Sequence, residues 1–330
     1  MSPPQKKLID HRLVIVTGKG GVGKTTVACS LAEAARRAGK RVLLAETSPI
    51  ESVAARFEAR PQPIGYAGRS LRPGLHALRI DPHEALADYL RLQTGLGLVT
   101  DRLLATDTFR QLLEAAPGWR ELIILGKIWH LEQKLDERGA PAFDLLVIDA
   151  PSTGHGLTFL DVPRVAQSAV RTGPLTRHAG WVEALVHDRE RTLLLPVTLP
   201  EELPVSETIE LVTRARDAIG IGVDRIVVNR LPPRPDPPLR NATNSLPNTL
   251  DFEALPAVPD LRALMDHAHS RAELAFAERA RVSQACELPV VDLPARSESF
   301  SPTTGWEDDL DLLLSAPRRP EAEGEEASAA

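Results

Sequence analysis
Short, nearly unbroken apolar runs recur along the chain: Leu13–Val16, Val42–Glu46, His76–Ile80, Phe143–Asp149, Thr192–Val197, Arg225–Arg230 and Leu288–Pro294. Runs of this length without strict apolar–polar alternation mark strands covered on both faces, as in parallel sheets. Between them lie segments with helical spacing: Val27–Arg37, the stretch fed by Thr198-Leu199-Pro200-Glu201-Glu202, and roughly Leu261–Arg281. Asp81 followed by Pro82 is a helix start, an N-cap with proline at the first helical position. Helical spacing with repeated leucines then continues to about Arg138 without a strand signal. Alternating strands and helices predict an α/β fold with a doubly wound, mostly parallel sheet. The block at about 82–138 reads as an inserted helical subdomain. Its exposed face suits a partner or cargo; a plain helical cover over the sheet edge is the equal alternative. Pro61, Pro63, Gly65, Gly68, Ser70 and Pro73 make 60–73 read as loop, as do the six prolines between Leu231 and Leu250. Residues 1–11 form an N-terminal extension and 12–298 the main domain. Residues 299–330 form a mostly disordered acidic tail with one apolar patch, Leu310–Leu314.

One stretch carries chemistry. Gly18-Lys19-Gly20-Gly21-Val22-Gly23-Lys24-Thr25-Thr26 joins the first apolar run to the first helix. This strand–turn–helix context is what a phosphate-binding G-x-x-x-x-G-K-[ST] loop requires. Its glycines let consecutive N–H groups turn inward on an anion, and the helix N-terminus adds partial positive charge. Lys24 is the side chain for the β- and γ-phosphates of ATP, and the Thr25 hydroxyl for a Mg²⁺ ion. Asp149, closing a buried strand, is the matching acid for that metal. Gly154, in the polar loop Ala150-Pro151-Ser152-Thr153-Gly154-His155, supplies a positive φ or a close approach to the γ-phosphate.

Lys19, directly after the first glycine, makes the loop K-G-G-V-G-K-T-T. With the D-x-x-x-T-G-H that begins at Asp149, this resembles the ArsA-type and tail-anchored-protein-targeting ATPases. The resemblance spans about residues 12–298. It implies an ATPase that dimerises face to face around Mg·ATP, with Lys19 crossing to the partner's phosphates. It also implies that the loop at Gly154 and His155 is a switch, with His155 a switch element rather than a base. Val227-Val228-Asn229 resembles the family's adenine-reading position, although Asn229 also fits as a strand-end turn residue. Leu288–Pro294 resembles the last strand with a proline turn over the base. Since only one P-loop domain is present, the expected partner is a second copy or a related ATPase chain, with a protein or membrane-associated partner beyond it.

Departures from that pattern matter as much. The family's acid after the second strand is Ser48 here, in Thr47-Ser48-Pro49. A serine is no general base at neutral pH. Glu46, two residues earlier, points to the same face; it either serves through a water or caps the strand and pairs locally. Turnover is therefore in question, while nucleotide binding is not, and a nucleotide-dependent binding subunit with weak hydrolysis is the alternative. Cys29 and Cys286 offer no paired soft-metalloid site, no disulfide framework and no zinc-holding pair. Methionines, suited to an adaptable cargo groove, occur only at positions 1 and 265.

The net charge of −6, with Glu321, Glu323, Glu325 and Glu326 near the C-terminus, argues against nucleic acid as a partner. The first apolar run is too short for a signal peptide and no stretch is long enough to span a bilayer. The expectation is a cytoplasmic protein.

Overall fold
The computed structural model describes residues 7–94, 106, 118–152, 160–161, 174–234, 261–295 and 313. In chain order these give β1 (Leu13–Gly18), α1 (Lys24–Arg37), β2 (Val42–Glu46), a single turn α2 (Ala54–Phe57), β3 (Arg69–Arg72), β4 (Leu75–Arg79), α3 (Pro82–Thr94) and α4 (Trp119–Glu132). Then follow β5 (Leu145–Ser152), α5 (Pro174–His187), β6 (Thr192–Thr198), α6 (Glu202–Arg214), β7 (Ile226–Leu231), α7 (Leu261–Cys286) and β8 (Val290–Pro294).

The strands form one eight-stranded sheet in the order β3-β4-β2-β5-β1-β6-β7-β8. All pairings are parallel except β3 with β4. Strand alternation splits the apolar side chains into two clusters, one per face. Leu13, Ile15, Leu146 and Ile148 join one, with Ile124 and Ile128 of α4. Val14, Val16, Leu145 and Val147 join the other, with Val27 and Leu31 of α1. Both faces are therefore covered, which is why the strand sequences in the middle of the sheet, such as β1, β2 and β5, are largely apolar.

The sheet matches the expected doubly wound architecture. One strand was not anticipated: β3 lies inside the proline- and glycine-rich 60–73 segment. It is a short edge strand, antiparallel to β4, and edge positions tolerate flanking prolines. Asp81 caps α3 as expected, its Oδ1 accepting from the His83 and Glu84 N–H groups at 2.9 and 3.2 Å. Leu313, from the apolar patch of the tail, is fully buried in the α1-side cluster.

Strand order fixes where chemistry occurs. β1 is flanked by β5 and β6, whereas the chain passes from β1 through α1 to β2 on the far side of β5. At this switch point the carboxyl ends of β1, β5 and β6 lie side by side, the usual place for a ligand in a doubly wound sheet.

Candidate functional site
The loop between β1 and α1 has the expected shape. Gly23, at φ 95°, is the left-handed residue preceding α1, and the first helical bond runs from the Val27 N–H to its carbonyl at 3.0 Å. A Cβ at Gly18 would lie 2.1 Å from the Val197 carbonyl oxygen, so the loop's first residue has no room for a side chain. Gly20 and Gly21 are exposed, Val22 is buried, and Gly23 through Thr26 are half-buried. The Lys24 ammonium donates to the Lys19 carbonyl at 3.1 Å, curling the loop around it. Burial lowers its pKa, and the nearby Asp149 carboxylate opposes that shift.

Asp149 sits beside the loop because β5 pairs with β1 in a register that matches Val16 with Asp149. The Thr25 hydroxyl donates to Asp149 Oδ2 at 2.6 Å. The other oxygen, Oδ1, is buried without a hydrogen-bond partner. Burial raises the Asp149 pKa, and the Thr25 hydrogen bond and Lys24 charge work against the rise. An unpaired carboxylate oxygen next to a hydroxyl is an oxygen donor set of the kind magnesium takes, with phosphates and waters completing its shell. The residues present therefore fit the ion.

At the β2 end, Glu46 is held by local partners. Glu46 is the cross-strand partner of Asp149 and is fully buried. Its Oε1 accepts from the Ser52 N–H and hydroxyl at 2.8 and 2.6 Å, and Oε2 from the Val53 N–H at 3.4 Å. Burial raises its pKa despite these bonds. It is engaged as a clamp on the 47–53 turn. Ser48 accepts from the Ile50 N–H at 3.3 Å, and Glu51 accepts from the Ile64 and Gly65 N–H groups. Glu46, Ser48 and Glu51 are thus each engaged within the chain.

Lys19 ion-pairs with Glu207 of α6 at 2.7 Å, both side chains about one-third exposed. Asn229 is buried at the end of β7, its Nδ2 donating to the Val22 carbonyl at 2.8 Å. Pro294 is exposed at the end of β8, register partner of Leu231. Gly154 and His155 lie outside the described residues. The structure therefore brings Lys19, Lys24, Thr25, Glu46, Asp149 and Asn229 around one loop.

Two participants escaped the sequence reading. Thr47 ties β2 to β5, its hydroxyl donating to the Asp149 carbonyl at 2.8 Å. Glu207 meets Lys19 only because β1 and β6 are neighbours; strand order, not spacing, is the signal that finds it. Cys29 and Cys286 belong to the clusters on opposite faces of the sheet, so they form no pair. No helix among the described residues is long and apolar enough to cross a membrane.

Comparison with known proteins agrees. The profile of the ArsA ATPases, described as anion-transporting ATPase, matches residues 11–179. ATPase BagA of Mycobacterium tuberculosis is 30% identical over 308 residues, covering 88% of this chain and 89% of its own. A putative arsenical pump-driving ATPase of Halobacterium salinarum is 31% identical over 243 residues, 68% of this chain and 36% of its own. An ATPase ASNA1 homolog of Entamoeba dispar is 27% identical over 279 residues, 71% and 82% of the two chains. With the phosphate-loop geometry and the match over more than half of its length, the chain belongs to the ArsA ATPase family and is a nucleotide-binding P-loop ATPase.

Proposed function
We propose that the protein binds Mg·ATP in the loop from Gly18 to Thr26, closes face to face as a dimer around it, and uses hydrolysis to reset that closure. Closure is coupled to a partner or cargo. The observation that carries this reading is the Thr25–Asp149 pair with its unsatisfied Oδ1, beside Lys24 at the mouth of the loop.

In this reading the amides of Gly20 to Lys24 hold the phosphates, and Lys24 exchanges the Lys19 carbonyl for the terminal phosphate oxygens. Thr25 and Asp149 would hold the magnesium. The ion, when bound, would supply charge neutralisation to the phosphates. Lys19 leaves Glu207 and reaches the partner's phosphates. An exposed ion pair of this kind contributes only about 0–1 kcal/mol, so a triphosphate is a sufficient competitor. Ile50 and Leu203, on the segments that follow β2 and β6, are 77% and 60% exposed and give that side of the sheet apolar contacts for a second copy.

A second reading, a nucleotide-dependent binding subunit with slow hydrolysis, is favoured by Glu46. Its carboxylate is occupied by Ser52 and Val53, and Ser48 stands where an acid would aim the water. Loss of one well-aimed group costs about 3–4 kcal/mol of barrier, or 10²–10³ in rate. Single-turnover hydrolysis against a Lys24→Ala control separates the two. A rate well above the control supports the switch ATPase, and a rate equal to it supports the binding subunit.

A further inference from the structure
Asn229 lies 207 residues from Val22 in sequence, yet its side chain is part of the phosphate loop's support. Both ends of the amide are fixed by what they meet. Nδ2 donates to the Val22 carbonyl at 2.8 Å, and Oδ1 accepts from the Arg230 N–H at 3.0 Å. One partner is only an acceptor and the other only a donor, so the amide has one possible orientation. The contact is close as well as polar: a Cβ at Gly23 would stand 2.3 Å from Nδ2, so the amide fills the space a side chain there would take. At its other end it holds Arg230 in the left-handed conformation, φ 57°, where the β7–β8 register shifts before Leu231 pairs with Pro294.

We infer that Asn229 is a positioning residue for the phosphate loop, holding the Val22–Gly23 backbone in its anion-cradling shape whatever base the nucleotide carries. This rests on the reading that the loop binds a triphosphate, and goes beyond base recognition at the same residue. Among the described residues the amide makes one bond at each end, and an amide can make a second at each, so the two roles are compatible and have to be separated by experiment.

The probes are Mg·ATP and magnesium tripolyphosphate, which has no base, each titrated calorimetrically into the full chain. Asn229→Ala leaves a buried carbonyl unpaired and is expected to weaken both by the same factor, about tenfold. Asn229→Asp keeps the shape but cannot donate to Val22, and is expected to do the same. Hydrogen exchange of the nucleotide-free protein gives an independent readout. The peptide covering residues 18–24 exchanges faster in both variants, while peptides from β6 and α1 keep wild-type rates. Wild-type tripolyphosphate affinity in either variant, with only ATP weakened, overturns the inference, as does unchanged exchange over 18–24. Failure of the unmutated chain to bind either probe instead overturns the triphosphate reading itself.

Discussion

At the scale of single residues, the candidate site is a set of buried and half-buried polar groups held by partners within the chain. Glu46 shows this best, being fully buried, bonded to Ser52 and Val53, and the register neighbour of Asp149. Burial raises its folded pKa above the ordinary glutamate value. Below the unfolded value of about 4.3, both states are protonated and the contribution to stability is complete. As pH rises through the elevated folded value, that contribution is lost. Glu46→Gln, which never ionises, is therefore expected to gain stability relative to the parent chain as pH rises from about 4 to 8. Urea denaturation of nucleotide-free protein across that range checks it, and a pH-independent difference contradicts it. The placing of Lys24, Thr25 and Asp149 beside one another was legible from motif spacing. The partners of Glu46 were not, because they lie in the turn after the strand, which a glutamate closing a strand does not specify. Nor was the bond from Asn229 to Val22, which depends on β7 following β6 on that side of β1 in the sheet.

At the scale of elements, strand and helix positions followed from apolar run length, and errors fell where the physics is weakest. β3 was missed because an edge strand of four residues carries no apolar signature. The two described helices of the 82–138 block, α3 and α4, share the apolar cluster of the sheet face. Within α4, Gly126 makes room for His178 of α5. A Cβ there would lie 2.7 Å from His178 Nε2, and the ring hydrogen-bonds the Gly126 backbone. Rings of Tyr89, Trp129 and Trp181 surround the imidazole at 5.1, 5.3 and 5.9 Å, leaving it little freedom to retreat. Gly126→Ala is expected to destabilise the chain, overpacking costing about 1–3 kcal/mol against the roughly 1 kcal/mol that alanine gains as a helix former. The confined ring puts the balance on the destabilising side. A lower melting temperature with altered tryptophan fluorescence supports the contact; an unchanged or higher one contradicts it. A glycine inside a leucine-rich helix was visible in the sequence, but the histidine it accommodates was not.

At the scale of the molecule, the sheet order gathers the carboxyl ends of β1, β5 and β6 so that Lys19, Asp149 and Glu207 surround one loop. The motifs in the sequence anticipated Asp149 beside the phosphate loop, which the pairing of β5 with β1 brings about; they gave no sign of Glu207, which pairs with Lys19 within the same chain. The central proposal is that Mg·ATP draws Lys19 away from that pair and into a second copy of the protein. Sedimentation velocity of the full chain, with and without Mg·ATP, for the parent and for Lys19→Ala, tests this most directly. The account predicts that Mg·ATP converts the parent from monomer to dimer and leaves Lys19→Ala monomeric. An unchanged sedimentation coefficient in the parent, or an equal shift in Lys19→Ala, contradicts it.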